Sequence, residues 1–564
     1  MLLAQQRTQA YLVRLSANGT KIILGPGNAA WTEFCQSLPA ARWSQVDCRW
    51  TCDFTPAAAW RIVCRPESEA LRDDPHNVVV AVANTFGSLA HCAHNCLQNE
   101  GPMSQPMSKT TSWRHQLIGF HFGSLLDASL LAMDMGTGKS KVAVDLAINW
   151  DCKTILILCP ASVRGVWRRE FERHSGKPVS VCVLEKGTTK DKVHVARGAV
   201  KMGAALRRPV AIVLNYESAW RPEFAEFSLG MDWDCVICDE SHRIKAHNSQ
   251  VSKYAAKLGR RAKKRLCLSG TPLAQSPLDL YGQFRFLDPG LFGTSWHHFS
   301  NRYAIKGNPH IPQQITGYKN QDELQERFRL LSYRCKASDV LDLPEALHEE
   351  RTCELSPAAR KAYKEIEEEL ITDLGTGVVT ASNALVRLLR LQQITSGYLI
   401  EDETDKLHRL DTSKQALLGD LLEDAGGEPF VVFCRFKYDL TAVRSLCETM
   451  GLRYGELSGN AKDGLTDRAE MSPSIDVLGC QIQSGGVGID LTRARYAAYY
   501  SLGFSLSEYE QSLARLHRPG QKRNVCYYHL VAENTVDRRV YSALRARKNV
   551  IEAVLSGFQN KENV

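Results

Sequence analysis

Residues 131–144, LAMDMGTGKSKVAV, restrict the fold more than any other stretch of the chain. An apolar lead-in runs into a Gly-x-Gly-Lys-Ser turn and then into a helix-like run. A strand, a tight turn and a helix N-terminus in that order make a phosphate-binding loop, a feature of parallel α/β sheets. Gly136 and Gly138 let the backbone from Met135 through Thr137 turn tightly and aim N–H groups at an anion. Lys139 supplies a point charge for β and γ phosphates, and Ser140 can hold Mg²⁺. The full spacing asks for a glycine five residues ahead of Gly138, where Met133 stands, so an ordinary glycine-rich turn before a helix stays open from this stretch alone.

At 564 residues the chain exceeds one core and divides into roughly three or four units. No apolar run approaches the roughly 18 residues of a membrane span. The opening MLLAQQRTQAYLVRL is broken by Gln, Arg and Thr where a signal peptide needs an unbroken apolar core, so a cytoplasmic protein without membrane association is expected. Several of the 18 cysteines, among them Cys159, Cys238, Cys267 and Cys434, lie in apolar strand-like runs and read as reduced core thiols. The net charge of +8 is compatible with a polyanionic partner.

Residues 1–103 read as a small β-rich module with strands at 11–15 and 21–24, and the polar GPMSQPMSKTT at 101–111 reads as a linker that makes the module separable. Residues 104–290 alternate short apolar runs (154–159, 180–184, 210–214, 235–238, 265–269) with helical patterns, the signature of a doubly covered parallel sheet. From 291 to 410 the strand signal fades into charged helices at 358–374 and 384–393, a helical insertion and linker. Alternation returns in 411–531 with runs at 430–434, 475–479, 496–501 and 525–531, and 532–564 reads as a C-terminal helical brace. The expected fold class is α/β, two parallel-sheet lobes with helical insertions between them and a small β-rich module in front.

The chemistry-bearing residues fall at the ends of these runs. WDCVICDESH delivers Asp239 and Glu240 to the carboxyl edge of a parallel sheet, where such folds bind ligands. Asp239 can grip the Mg²⁺ shell, and Glu240 can deprotonate an attacking water. KRLCLSGTP brings Ser269, Gly270 and Thr271 to a position that can sense a γ phosphate. In the second lobe, Arg515 and Arg518 lie three apart on one helical face and have the planar charge that stabilises a transferring phosphoryl group. The glycine-rich QSGGVGIDLT turn places Gly488 for close approach to nucleotide and Asp490 to bond a ribose or couple to those arginines. The basic run GRRAKKR at 259–265 reads as a solvated loop, and the cysteines and histidines around HCAHNC fit no standard zinc spacing.

Taken in order, these motifs resemble the SWI/SNF-type branch of the superfamily 2 helicase-like ATPases over about residues 113–555. The resemblance runs through WRHQ, MDMGTGKS, LILCPASVRGVWRREF, VLNYES, DESH, LSGTPLAQS, LDLP, RLQQITSG, VVFCRF, LSG, SGGVGIDLT and ARLHRPGQ. It implies two RecA-like lobes that sandwich ATP and Mg²⁺, with Gln116 reading adenine and duplex DNA lying across both lobes. The DNA contacts it implies are Ser162, Arg164, Asn215 and Tyr216 in the first lobe and Arg435, Lys437, Ser458 and Gly459 in the second. Asp134, Ser140, Gln275 and Ala514 depart from the eukaryotic pattern and point toward bacterial or viral relatives. The first module resembles the one preceding the motor in annealing helicases, and its Arg42, Trp43, Arg49 and Trp50 pair guanidinium groups with aromatic faces suited to a DNA junction.

The expected activity is therefore that of a monomeric DNA-dependent ATPase translocating on double-stranded or forked DNA. It would remodel forks, reanneal strands or displace bound proteins beside replication or repair partners. A strand-separating helicase, or a DNA-binding scaffold switched by ATP, are the alternatives that ATP turnover and unwinding assays separate.

Overall fold

A computed structural model of the chain describes residues 13–68, 77–273, 276–307, 315–376, 381–400, 406–459, 461, 463–466, 469–483, 489–503, 505–544 and 546. These residues fall into two compact units that divide between Val340 and Leu341.

The first unit holds a seven-stranded sheet in the order Ser332–Cys335, Ala128–Met133, Ala262–Leu268, Trp233–Asp239, Thr154–Cys159, Val210–Asn215, Ser180–Val183. Every neighbouring pair is parallel. The Ala128–Met133 and Val210–Asn215 strands are buried at every position, as a sheet covered on both faces requires. The second unit holds a six-stranded parallel sheet in the order Ala346–Cys353, Val525–Ala532, Tyr496–Tyr499, Phe430–Cys434, Val477–Gln481, Tyr454–Leu457. Leu418, Phe430, Val432, Val443, Val477 and Ala498 centre its core. The two expected parallel-sheet lobes are present.

The stretch 291–410 differs from the single helical insertion expected of it. Ser332–Cys335 pairs with Ala128–Met133 in the first sheet, and Ala346–Cys353 pairs along its whole length with Val525–Ala532 in the second. Each is an outermost strand. Ala346–Cys353 keeps most of its side chains in solvent, so it carries no apolar run for a periodicity search to find. The helices expected after it do form, as Pro357–Thr376 and Ala381–Thr395. Of the expected C-terminal brace, residues 536–544 are helical and bury Val536, Val540 and Leu544 at four-residue spacing, and the rest lies outside the described residues.

The N-terminal residues form a four-stranded antiparallel sheet, in the order Val13–Leu15, Lys21–Leu24, Arg49–Asp53, Arg42–Ser44, packed with helices Ala29–Gln36, Pro56–Val63 and Val78–Gln98. Trp50 joins this core while its cross-strand partner Trp43 is 40% exposed. One of the two tryptophans is thus a packing residue and the other remains free to meet a ligand.

This module is not a detachable bead. Buried Arg61 donates to the Gly290 carbonyl (2.9 Å), the Ala57 N–H donates to Asp288 (3.3 Å) and the Ala40 N–H to Thr294 (2.8 Å). Gly290 approaches so closely that a Cβ there would sit 2.3 Å from the Ala58 nitrogen. The linker-like segment is tied down as well. The Lys109 N–H donates to the His174 carbonyl (2.9 Å), and Thr110 Oγ1 lies 2.6 Å from His174 Nδ1. Its Ser and Pro content reads as flexible because backbone pairing with a distant segment leaves no mark in local composition.

Beneath that segment, Lys141 of the phosphate-loop helix pairs with Asp145 (2.7 Å) and donates to Ser112 Oγ (2.7 Å), with both charged groups almost fully buried. Lys141→Met leaves the Asp145 carboxylate without its partner and is expected to cost about 3–5 kcal/mol, whereas Lys141→Met with Asp145→Leu recovers most of that loss. Thermal unfolding of the wild-type, single and double variants checks this through the order of their midpoints, wild type highest and the single variant lowest.

Candidate functional site

The phosphate loop leaves the Ala128–Met133 strand and enters the helix Lys139–Asn149. Gly136 and Gly138 take φ of 82° and 90°, the left-handed region that a residue with a Cβ adopts only under strain. Gly138 is also closed sterically, since a Cβ there would meet the Gln116 amide nitrogen at 2.3 Å. Lys139 Nζ donates to the Met133 (2.7 Å) and Asp134 (3.1 Å) carbonyls, which holds its charge across the mouth of the loop. Met135 and Ser140 are half-buried on that loop and Thr137 is buried. Asp134 accepts from the Ala337 N–H (3.0 Å), so this departure from the eukaryotic pattern anchors the chain after the edge strand.

Gln116 accepts from the Trp113 N–H (3.0 Å) and donates to the Thr137 carbonyl (3.0 Å). Its amide therefore braces the loop and keeps one N–H and one lone pair to offer elsewhere.

The acids leave the strand two places away in the same sheet, about 10 Å across two strand spacings. Asp239 and Glu240 are both buried. The Trp167 indole N–H donates to Asp239 Oδ2 (3.1 Å), the Glu240 N–H to Asp239 Oδ1 (3.0 Å), and the Tyr216 hydroxyl to the Asp239 carbonyl (2.7 Å). Burial, and then the charge of Glu240, push the Asp239 carboxyl up to about 7. Burial opposes ionisation of Glu240 too, but His242, whose Nδ1 lies 3.4 Å away, with Lys139 and Arg243, outweighs it and holds Glu240 below the ordinary carboxylate range. Glu240 itself sits at φ 49°, ψ 54°. A left-handed non-glycine residue costs of order 1–3 kcal/mol, and the cost falls on the residue suited to act as base. An ionised carboxylate beside a lysine-tipped amide cradle fits a nucleoside triphosphate, and the half-buried Ser140 with Asp239 supplies the oxygen ligands a Mg²⁺ ion takes.

The acid turn and the SGTP turn are joined by a residue the motifs did not single out. Buried Gln283 accepts from Ser241 Oγ (2.7 Å) and donates to the Pro272 carbonyl (2.7 Å). No local spacing in the sequence marks Gln283, or Trp167 within VWRREF, for these contacts.

The first-unit residues expected to touch DNA differ in accessibility. Ser162 is exposed. Arg164 is half-buried and donates to the Ala161, Leu184 and Glu185 carbonyls. Tyr216 is corrected: it is 1% exposed and supports the end of the acid strand from beneath, since an aromatic ring at a strand-to-helix turn faces the core. Asn215 is largely buried and donates to Glu217 (2.8 Å).

In the second unit, Lys437 and Gly459 are exposed, and Ser458 is buried. Arg435 donates through its side chain to Gln392 and through its backbone N–H to Ser501 Oγ (2.8 Å). Ser501 and the Phe436 N–H both donate to the fully buried Asp439, which organises the Arg435–Lys437 turn. Arg515 is buried, and its carbonyl accepts from the Leu491 N–H (3.1 Å). Arg518 donates to the Ile489 carbonyl (3.0 Å) and lies 3.8 Å from Asp490. Gly488 and Gln275 lie outside the described residues. Among the described residues no group of three or more His, Cys, Asp or Glu converges as metal ligands, and no helix is long and apolar enough to cross a membrane.

Two predictions come from these buried carboxyls. Trp167→Phe keeps the ring but removes the N–H from Asp239, so turnover is expected to need several-fold more Mg²⁺ for half-maximal rate, and titration of rate against Mg²⁺ checks it. Burial raises Asp439 from 3.8 to about 6. A raised carboxyl contributes stability fully below its unfolded pKa and loses it as pH climbs through the folded value. Wild-type stability relative to Asp439→Asn is therefore expected to fall by about 3 kcal/mol between pH 3 and 7, about 2 kcal/mol of it between pH 4 and 6, and then level off, as urea unfolding across that range would report.

Comparison with known proteins agrees with the geometry. The chain matches the SNF2-related domain over residues 5–397 and the helicase conserved C-terminal domain over residues 413–520. It is 24% identical over 495 residues to the DNA repair and recombination protein RDH54 of Saccharomyces cerevisiae, covering 78% of this chain and 52% of that protein. It is 25% identical over 444 residues to the SWI/SNF-related matrix-associated actin-dependent regulator of chromatin subfamily A-like protein 1 homolog of Caenorhabditis elegans (75% and 59%). It is 24% identical over 451 residues to the human DNA annealing helicase and endonuclease ZRANB3 (77% and 39%). The chain thus spans about half the length of the curated relatives it matches. A solved structure, the Sulfolobus solfataricus SWI2/SNF2 ATPase core in complex with dsDNA, aligns at a TM-score of 0.38 and 21% identity over 81% of this chain and 96% of that one. With the SNF2-related domain spanning well over half its residues and the helicase C-terminal domain following, this chain belongs to the SNF2-related, SWI/SNF-type family of helicase-like ATPases.

Proposed function

We propose that this protein is a DNA-dependent ATPase that translocates on double-stranded DNA, remodelling forks, reannealing strands or displacing bound proteins. The observation that carries the reading is the ionised, strained Glu240 beside Asp239, in the same sheet as the Lys139 loop. That constellation can hydrolyse a nucleoside triphosphate, and the family to which the chain belongs supplies DNA as the track.

In this reading Lys139 exchanges its bonds to the Met133 and Asp134 carbonyls for the β and γ phosphates. The loop amides from Met135 to Ser140 cradle the same oxygens. Mg²⁺, when bound by Ser140 and Asp239, neutralises charge on them. Glu240 accepts the proton of the attacking water, and His242 keeps that carboxylate ionised beforehand. Arg515 and Arg518 are assigned to the charge that spreads over the departing phosphoryl group, and Asp490 steadies Arg518 until then. For the track, the exposed Ser162, Lys437 and Gly459, with Arg164 and Arg435 beside them, are assigned to backbone phosphates, contacts blind to base sequence. Double-stranded or forked DNA is the proposed partner, beside replication or repair proteins.

Lys139→Ala removes the phosphate charge and Glu240→Gln the base, so both are expected to fold and to lose turnover by at least two orders of magnitude, with Glu240→Gln still binding ATP. Duplex DNA is expected to stimulate wild-type turnover, with apparent DNA affinity falling steeply as salt rises. A steady-state assay over a salt series, with RNA as the comparison polymer, checks both. Equal stimulation by RNA, or stimulation insensitive to salt, overturns the assignment to DNA.

A further inference from the structure

Away from the carboxyl edge of the first sheet, helices Pro222–Leu229, Gln250–Gly259 and Leu280–Leu287 enclose a cleft of about 450 Å³. Its walls carry Lys253, Lys257, Arg260 and Arg285, together with the aromatic Trp220 and Tyr254, and no carboxylate lines it. Lys253 and Lys257 stand four apart on one helix, with Arg260 three further on, a like-charge spacing that costs helix stability. Both lysines are exposed and, among the described residues, neither pairs with a carboxylate. Arg285 is fixed, stacked 5.5 Å from the Tyr281 ring centroid and donating to Ser252 Oγ (3.3 Å). The field of this cluster reaches its surroundings. Burial, and then the charges of Arg285 and Lys253, push His247 below the ordinary imidazole range.

Three other cations of the basic run at 259–265 have carboxylate partners. Lys263 pairs with Asp234, Lys264 with Asp127, and Arg261 with Asp232. Arg260 differs, because it faces the cleft and reaches Asp53 of the N-terminal sheet (3.2 Å). Thr294, another lining residue, accepts the Ala40 N–H from the turn that precedes the Arg42–Ser44 strand of that sheet. The cleft therefore lies where the N-terminal module meets the first lobe.

We propose that this cleft binds a single nucleic-acid strand, the unpaired arm of a fork, through two or more phosphates on Lys253 and Lys257 and a base against Trp220. Its volume falls in the range of sites that take a nucleotide-sized group, about 300–1,000 Å³, and is too small for a duplex. Cations interleaved with an aromatic face are what sequence-blind recognition of single strands requires. Trp220 is half-buried, and the Arg221 guanidinium lies 4.4 Å from its ring centroid, a further cation beside the aromatic face. The inference rests on the reading of the motor as one that acts on DNA, and it assigns recognition of an unpaired strand to a surface the motor chemistry does not use.

The test uses the full chain with Lys253→Gln and Lys257→Gln together, both exposed and so tolerated by the fold. Duplex-stimulated turnover should be unchanged. Anisotropy titrations of a fork with one single-stranded arm, over a salt series, should give a log–log salt slope shallower than wild type by about one to two, while the slope for plain duplex of equal length stays the same. Trp220→Leu should weaken fork binding roughly tenfold without changing the slope. An unchanged fork slope in the double variant, or an equal loss on plain duplex, overturns the inference. If wild-type turnover is not stimulated by DNA at all, the functional reading fails before this one is reached.

Discussion

Two carboxylates buried side by side at the end of one strand set the terms for the first unit. Asp239 and Glu240 cannot both ionise in an apolar surrounding unless something fixed answers their charge. That answer comes from the Trp167 indole and the Glu240 backbone N–H, which donate to the Asp239 carboxylate, and from His242 and Lys139 around Glu240. The result is an asymmetric pair, one carboxyl raised to about 7 and the other held below the ordinary carboxylate range. Because the flanking strands are buried on both faces, none of these groups can drift, and the cost of holding Glu240 in a left-handed conformation is borne by the whole sheet.

What the sequence made legible follows from how far each signal travels along the chain. Central strands such as Thr154–Cys159 and Phe430–Cys434 were readable to the residue, because burial on both faces leaves an unbroken apolar run. The edge strands Ser332–Cys335 and Ala346–Cys353 were not. Ala346–Cys353 reads ALHEERTC, and only its partner Val525–Ala532 makes it a strand. The turn at Gly136 and Gly138 and the acids at the end of the Trp233–Asp239 strand were legible because each follows an apolar run in fixed local order. Trp167 and Gln283 escaped because each acts across a gap of dozens of residues, a relation no spacing encodes. Tyr216 was misplaced for the same reason, since a motif tells which turn a residue occupies and not which way its ring faces.

The N-terminal module shows the limit of composition as a guide. A segment rich in Ser, Pro and Met suggested a hinge, yet its backbone pairs with residues 174–175, and Lys141 beneath it ties it to the helix that starts at the phosphate loop. Buried Arg61 then fastens the module to the turn at Gly290. A DNA structure sensed by the module would therefore be felt by the elements that hold ATP through packed contacts, without a flexible tether. The basic cleft lies at this junction, where the cations of one helix remain unanswered by any carboxylate in its walls.

The central claim is that hydrolysis at Glu240 drives movement along intact duplex. Displacement of a third strand from a triplex-tailed duplex measures that movement directly, because no separation of the duplex is needed. Wild-type protein with ATP should release the third strand at a rate that scales inversely with the duplex length between loading site and triplex, and Glu240→Gln should release none. Stimulated ATP turnover without release of the third strand would contradict the account.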